Sequence, residues 1–269
     1  MTINLPIADY LDDFLNPSNS FRPWPFFVLN DEYETGPGEK RLTELLENLA
    51  RVGYGGVFLH PRPGLITEYL SPRWFEIIRH CIAECRRLGL VPALYDENSY
   101  PSGFAGGHVP ALAPQTAARF LIPKFGVLPE RPPSDALAVY RAEDGIPREM
   151  VEPGTLQDGA NWCAFVMERM PPMSWHGEFP YTSLLDRKTT QTFLETTYNR
   201  YRDELGAEDW KTCAAIFTDE PHLTADSHGP WGPGLHFSRL VQAEFLRRHN
   251  YPIETVLADL YFDSPNSAA

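Results

Sequence analysis

The feature that most constrains this chain is a repeated unit: a short apolar strand that ends in polar residues, followed by an amphipathic helix. Phe26-Phe27-Val28-Leu29 runs into Asn30, and Val57-Phe58-Leu59 into His60. Leu90-Val91-Pro92-Ala93-Leu94-Tyr95 runs into Asp96-Glu97, and Cys213-Ala214-Ala215-Ile216-Phe217-Thr218 into Asp219-Glu220. Between them, Leu42, Leu45, Leu46, Leu49 and Val52 recur at helical spacing, as do Trp74, Ile77, Ile78, Cys81, Ile82, Cys85 and Leu88. Ser71-Pro72 supplies a capping hydroxyl and a first-turn proline, and Gly89 a stop. Strand–helix alternation of this kind means parallel pairing with crossover helices, and such sheets build their sites at the carboxyl ends of the strands. Phe193, Leu194, Thr197, Tyr201 and Leu205 predict a third long helix, and Phe237, Leu240, Val241 and Phe245 a last one.

The alternation breaks in the middle. Twelve of the 26 prolines lie between Pro101 and Pro180, which predicts an insertion of short strands and loops over residues 108–182, after the third parallel strand. The rest reads as one α/β domain of (β/α)8 TIM-barrel type over residues 1–269, reduced to its first four or five βα units. A full barrel needs eight strands, so the chain reads as the N-terminal half of a catalytic domain. Phe27, Val57, Leu94 and Ile216 are expected on the barrel's inner face. Without opposite strands to cover them, the chain should find a second copy or its missing half.

Composition excludes several classes. A 43% apolar content allows a sizeable core, and 23 basic against 36 acidic residues gives a net charge of −13, which disfavours nucleic acid as a partner. No apolar run is long enough to span a membrane. The start has neither the basic segment nor the apolar core of a signal peptide, and Cys81, Cys85, Cys163 and Cys213 lack the density of a disulfide framework, so reduced thiols and a cytoplasmic location are expected. Neither GxGxxG nor GxxxxGK[ST] occurs, which disfavours a nucleotide cofactor.

Two motifs carry chemistry. Ile216-Phe217-Thr218-Asp219-Glu220-Pro221-His222 places a carboxylic acid at a strand end, where partial desolvation suits a general acid; the alternative is an acidic helix-capping loop. Tyr95-Asp96-Glu97-Asn98-Ser99-Tyr100-Pro101-Ser102-Gly103 gathers acids, an amide, hydroxyls and rings, the combination that binds sugar hydroxyls and covers their C–H faces, although the same residues suit a solvated turn. Glu220 is the expected acid or base, and Glu97 the second carboxylate or a substrate ligand. Asn30, His60, Arg62, Tyr95, Asp96, Asn98, Tyr100, Asp219 and His222 are the expected substrate contacts. Trp162, Trp175 and Trp231 offer sugar platforms or local packing. His80 reads as structural. A metal-assisted hydrolase using His60, Asp96, Asp219 and His222 is a rival reading, as is a carbohydrate-binding half-barrel without catalysis.

The run Gly53-Tyr54-Gly55-Gly56-Val57-Phe58-Leu59-His60, with the Tyr95–Gly103 and Phe217–Pro221 motifs, resembles bacterial glycoside hydrolases with a TIM-barrel catalytic domain. In particular it resembles the inverting α-L-rhamnosidase family 106 and its relatives, over roughly residues 20–265. The resemblance implies two-carboxylate chemistry on a plant or bacterial polysaccharide. It requires no cofactor, although members bind calcium near the site, which implies a hard-cation role for some Asp or Glu. In the largest glycosidase clan an Asn-Glu-Pro ends the fourth strand; here Asp219 stands in place of the Asn.

Overall fold

A computed structural model describes residues 8–223 and 234–262, without the side chains of residues 8–10 and Trp175. The strands in chain order are β1 (Phe26–Leu29), β2 (Gly56–Pro61), β3 (Val91–Tyr95), β4 (Arg119–Val127), β5 (Ala138–Glu143), β6 (Ile146–Met150), β7 (Asn161–Arg169), β8 (Ile216–Phe217) and β9 (Leu235–His236). The helices are α1 (Ala8–Leu15), α2 (Pro37–Arg51), α3 (Pro72–Leu88), α4 (His108–Leu112), α5 (Arg187–Leu194), α6 (Arg200–Thr212) and α7 (Arg239–His249). The chain is mixed α/β and divides into two compact units. One comprises residues 1–109, 174–178 and 191–221, the other residues 110–173, 179–190 and 222–269.

The first unit is built on a parallel sheet in the order β1-β2-β3-β8. Among the described residues this sheet is open, and they do not close an eight-stranded barrel. Its helices follow the sequence signals closely. The Ser71 Oγ accepts from the Trp74 N–H at 3.1 Å, Pro72 opens α3, and Gly89 closes it at φ 71° in the left-handed region that only glycine enters freely. Cys81 and Cys85 are buried on α3, Cys163 is buried in β7, Cys213 is half-buried, and all four are free thiols. His80 is structural, its Nε2 bonded to Thr43 Oγ1 at 2.9 Å.

The third long helix is not a plain α-helix. Residues 195–199 form a π-helical turn between α5 and α6. The buried residues Phe193, Thr197, Tyr201 and Leu205 are spaced by four, which drifts off a turn of about 3.6 residues. The wide turn absorbs the drift and keeps them on one face, while Leu194 turns outward.

The face assignment of the sheet is a correction. Phe27, Val57, Leu94 and Ile216 do not line an open inner face. Together with Leu29 and Leu59 they pack under the helices, against Leu42 and Leu46 of α2 and the apolar side of α3. Because strand side chains alternate, the other face carries Phe26, Val28, Phe58, His60, Tyr95 and Phe217. The strands are apolar on both sides, so their composition does not tell the faces apart.

The second unit holds an antiparallel sheet in the order β6-β5-β7-β4-β9. The proline-rich stretch therefore forms regular strands, and β4 and β7 pair over nine residues each. Proline survives in β4 because β9 covers only Phe120 and Leu121, leaving Pro123 on an open edge where no ladder N–H is needed. Trp162 is packed rather than presented: it is buried, lies against Gly126, and its Nε1 donates to the Glu130 carbonyl at 2.7 Å. Trp231 lies outside the described residues, as does the Trp175 side chain. No described helix is long and apolar enough to cross a membrane.

The two faces of the parallel sheet should answer differently to truncation. Leu59→Ala, under the helices, should cost about 2–5 kcal/mol, whereas Val28→Ala, 46% exposed on the opposite face, should stay within about 0.5 kcal/mol. Denaturant unfolding of both variants checks this; equal costs would mean the faces are assigned wrongly.

Candidate active site

The carboxyl ends of β2, β3 and β8 meet on one rim because all three strands run parallel. Glu97, just past β3, has no exposed surface. Its Oε1 accepts from the N–H groups of Asn98 (2.9 Å) and Gly106, and its Oε2 from those of Gly103 (3.1 Å), Phe104 (3.0 Å) and Ala105 (2.7 Å). A carboxylate has about four lone-pair positions, so five donors leave none for a substrate. The loop wraps this carboxylate through a string of left-handed residues, Gly103, Ala105, Gly106 and Gly107; the N–H groups of the first three belong to the anion nest, and that of Gly107 donates to the Phe104 carbonyl at 3.1 Å. Burial raises the Glu97 carboxyl to about 7, against the opposing pull of the backbone donors. Expected as the second carboxylate or a substrate ligand, Glu97 is instead enclosed by the loop it organises.

Asp96 is also occupied. Its Oδ1 accepts from Ser102 Oγ at 2.6 Å, and its Oδ2 from Thr218 Oγ1 at 2.7 Å and the Tyr198 hydroxyl at 2.9 Å. Burial raises its carboxyl, and these three hydroxyls act against the rise. One acid thus ties together β3, the following loop, the π-helical turn and the exit of β8. Ser102 doubles the link, since its Oγ accepts from the Asp219 N–H at 2.9 Å and its own N–H donates to the Asp219 carbonyl at 2.8 Å.

Asp219 and Glu220 stand at the open end of this frame. Asp219 Oδ2 accepts from the Tyr95 hydroxyl at 2.9 Å and faces Arg62 Nη2 at 3.5 Å. Burial and the neighbouring Asp219 push the Tyr95 hydroxyl well up, so it remains a donor. Arg62 also donates to the Ser99 carbonyl at 3.3 Å and lies over the Tyr95 ring. Glu220 is exposed and adopts φ 42°, a conformation costly for a residue with a Cβ. Its Oε2 accepts from the Tyr100 hydroxyl.

His60, at the end of β2, is fully buried. It stacks on Phe26 at 4.3 Å and meets Tyr95 at 3.8 Å, and neither ring nitrogen has a hydrogen-bond partner. Burial and the nearby Arg62 push its pKa down to about 3, so the ring is neutral. Asn98 gives its N–H to Glu97, and its Oδ1 is buried without a partner. Asn30 is exposed at the end of β1, its N–H donating to the Tyr33 hydroxyl at 3.2 Å. His222 belongs to the other unit, where its ring stacks on Tyr181.

Apart from Asn30, His60 and Asn98, the expected residues thus fall into three groups. Arg62, Tyr95, Tyr100, Asp219 and Glu220 are joined by direct contacts at the rim. Asp96 and Glu97 are committed to the frame beneath it. His222 is not among them. Sequence reasoning missed Ser102, Tyr198 and Thr218 as members of that frame. The glycines of the Gly103–Gly107 loop following an acid were the available signal for the Glu97 nest. The metal-assisted set of His60, Asp96, Asp219 and His222 is not assembled, and among the described residues no three His, Cys, Asp or Glu side chains form a group able to hold a metal ion. The oxygens of Asp96 and Glu97 are already taken by hydroxyl and N–H donors, so these two acids are not free to hold a calcium ion.

No protein-family model matches the chain, and no curated protein sequence is significantly similar to it. Among solved structures, a rhamnosidase from Novosphingobium sp. PP1Y is similar with a TM-score of 0.32 and 22% identity. The match takes in 48% of this chain and only 12% of that one. A likeness of that depth assigns neither fold nor chemistry.

Two tests follow from the buried groups. Glu97→Gln turns one acceptor into a donor facing backbone N–H groups and should cost about 1–3 kcal/mol or more in denaturant unfolding; unchanged stability would mean the carboxylate does not hold the loop. For His60, the folded state resists a proton that the unfolded chain takes near 6.5. The His60 contribution is therefore complete above pH 6.5 and is lost as pH falls from there towards 3. His60→Phe should flatten the stability profile across that window by about one proton, or about 1.4 kcal/mol per pH unit; an unaltered slope would place the imidazole in water.

Proposed function

We propose that the rim is part of the active site of a glycoside hydrolase, with Glu220 as the general acid. The placement of Glu220 is the observation that carries this reading. It is an exposed carboxyl three residues beyond a parallel strand, in a left-handed conformation next to the two bonds that tie Asp219 to Ser102, and touched by the Tyr100 hydroxyl. As the glycosidic C–O bond lengthens, Glu220 in its protonated form gives its proton to the leaving oxygen, and the ring carbon takes on oxocarbenium character. Asp219, fixed by Tyr95 and Arg62, accepts from a sugar hydroxyl, and Asn30 and Arg62 are placed to donate to others. Phe26, 44% exposed on the same sheet face, offers a ring to the apolar side of the sugar. The sequence resemblance makes an α-L-rhamnoside the substrate to try first, and a TIM-barrel-type catalytic domain the architecture this sheet belongs to.

The second carboxylate of the pair then has to come from outside the four strand ends, since Glu97 has no lone pair to spare. The same observation favours a second reading, in which the rim binds carbohydrate without turning it over. Hydrolysis of an aryl α-L-rhamnoside, with calorimetric titration of rhamnose alongside, separates the two. On the hydrolase reading, Glu220→Gln should lower the rate by about 10²–10⁴ with little change in melting temperature. Full activity in that variant would remove Glu220 from the mechanism. Binding that persists with no hydrolysis by the unaltered chain would establish the second reading.

A further inference from the structure

The antiparallel unit contains a serine–histidine pair that the rim chemistry does not use. Ser183 Oγ lies 3.3 Å from His236 Nε2, and His236 Nδ1 lies 3.1 Å from the Leu223 carbonyl oxygen. A carbonyl can only accept, so Nδ1 carries the imidazole proton. In the neutral ring Nε2 is then the bare nitrogen, and the Ser183 hydroxyl donates to it. This is the arrangement that activates a serine: a nucleophile hydrogen-bonded to a base whose far nitrogen is fixed by a third group. Burial holds the His236 pKa below its usual value, which keeps the ring neutral and able to take a proton.

Both partners hang on the same stretch of backbone. Thr182 bridges Ala117, and the Ser183 N–H donates to the Thr116 carbonyl at 2.7 Å. His236 is in β9, paired with Phe120 of β4, and its ring stands edge-on to the Phe120 ring. Ser183 thus follows an isolated bridge and His236 lies in the two-residue strand β9, and both are tied to residues 116–121. Ser183 also opens on a cavity of 280 Å³, which is lined in addition by Gln115, Arg119, Ser238, Arg239 and Leu240. The last three form the N-terminal turn of α7. Ser238 makes no side-chain cap bond, and its Oγ is buried without a partner. The first N–H groups of a helix have no acceptor within it, so this turn presents donors to the cavity.

We propose that Ser183 and His236 form a second, independent catalytic site that hydrolyses small carboxylic esters. The Ser183 oxygen bonds to the ester carbonyl carbon while its proton passes to His236 Nε2, and the α7 N–H donors face the developing oxyanion. The tetrahedral adduct then expels the alcohol, which leaves with the proton from His236, and an acyl-serine remains. Water, deprotonated by the same nitrogen, releases the acid and restores the hydroxyl. The cavity volume sets the acyl group at a few carbon atoms.

Diisopropyl fluorophosphate tests the pair on the intact chain. Its phosphorus bonds to an activated serine oxygen, fluoride leaves, and the proton passes to the histidine. The expected result is a single adduct mapped to Ser183 by peptide mass spectrometry, absent in Ser183→Ala and formed at least tenfold more slowly in His236→Gln. Hydrolysis of p-nitrophenyl acetate should fall in parallel. No adduct on Ser183 in the unaltered chain, an adduct on another serine, or labelling of His236→Gln at the original rate would each overturn the proposal. Because the adduct is mapped in the unaltered chain, the test holds even if a variant fails to fold.

Discussion

A buried carboxylate without a cation beside it is the constraint on which the rim depends. Isolated in an apolar interior, Glu97 would be prohibitively costly. It is tolerated because the next turn of chain converges on it with N–H groups, and that convergence fixes the path of residues 98–106. The path in turn places Tyr100 against Glu220 and Ser102 between Asp96 and Asp219. The geometry of the exposed acid is therefore inherited from a carboxylate that cannot itself reach a ligand.

Asp96 performs the complementary task across strands. β8 contributes only two residues to the ladder, a short edge by itself. Its exit is secured by side chains instead: Thr218 on Asp96, and the paired backbone bonds between Asp219 and Ser102. That anchoring is what lets Glu220 hold a left-handed backbone. The cost of the conformation falls on bonds already made by its neighbours, so the side chain projects at a fixed place without needing burial.

The sequence made much of this legible, and its failures have identifiable causes. The capping hydroxyl of Ser71, the Gly89 stop and the polar strand ends are local signals, and the structure follows them. The sheet faces were not legible, because β1 and the Val57-Phe58-Leu59 stretch of β2 are apolar at every position and alternation is what distinguishes inside from outside. The π-helical turn was legible only as a spacing of four among Phe193, Thr197, Tyr201 and Leu205, which on its own reads as a slightly irregular α-helix. Polarity identified the Tyr95–Gly103 motif, but polarity cannot separate a carboxylate that meets solvent from one that gathers backbone donors. That difference lies in the left-handed residues Gly103, Ala105, Gly106 and Gly107, and a glycine cluster read only for nucleotide-binding spacing conceals it.

The strand-end rule itself needs refining in this light. Parallel sheets bring polar residues to one rim, but the rim has depth. Residues directly at the ends of central strands, Asp96 and His60, are covered on every side, and burial works against charge on both: it raises the carboxyl of one and lowers the pKa of the imidazole. Residues one or two positions further out on an edge strand, Asp219 and Glu220, keep solvent access. Burial therefore marks the supporting layer here, and the outer layer is recognised by exposure combined with a backbone held in place. By that criterion Glu220 is distinguished from the acids around it, even though it is the least buried of them.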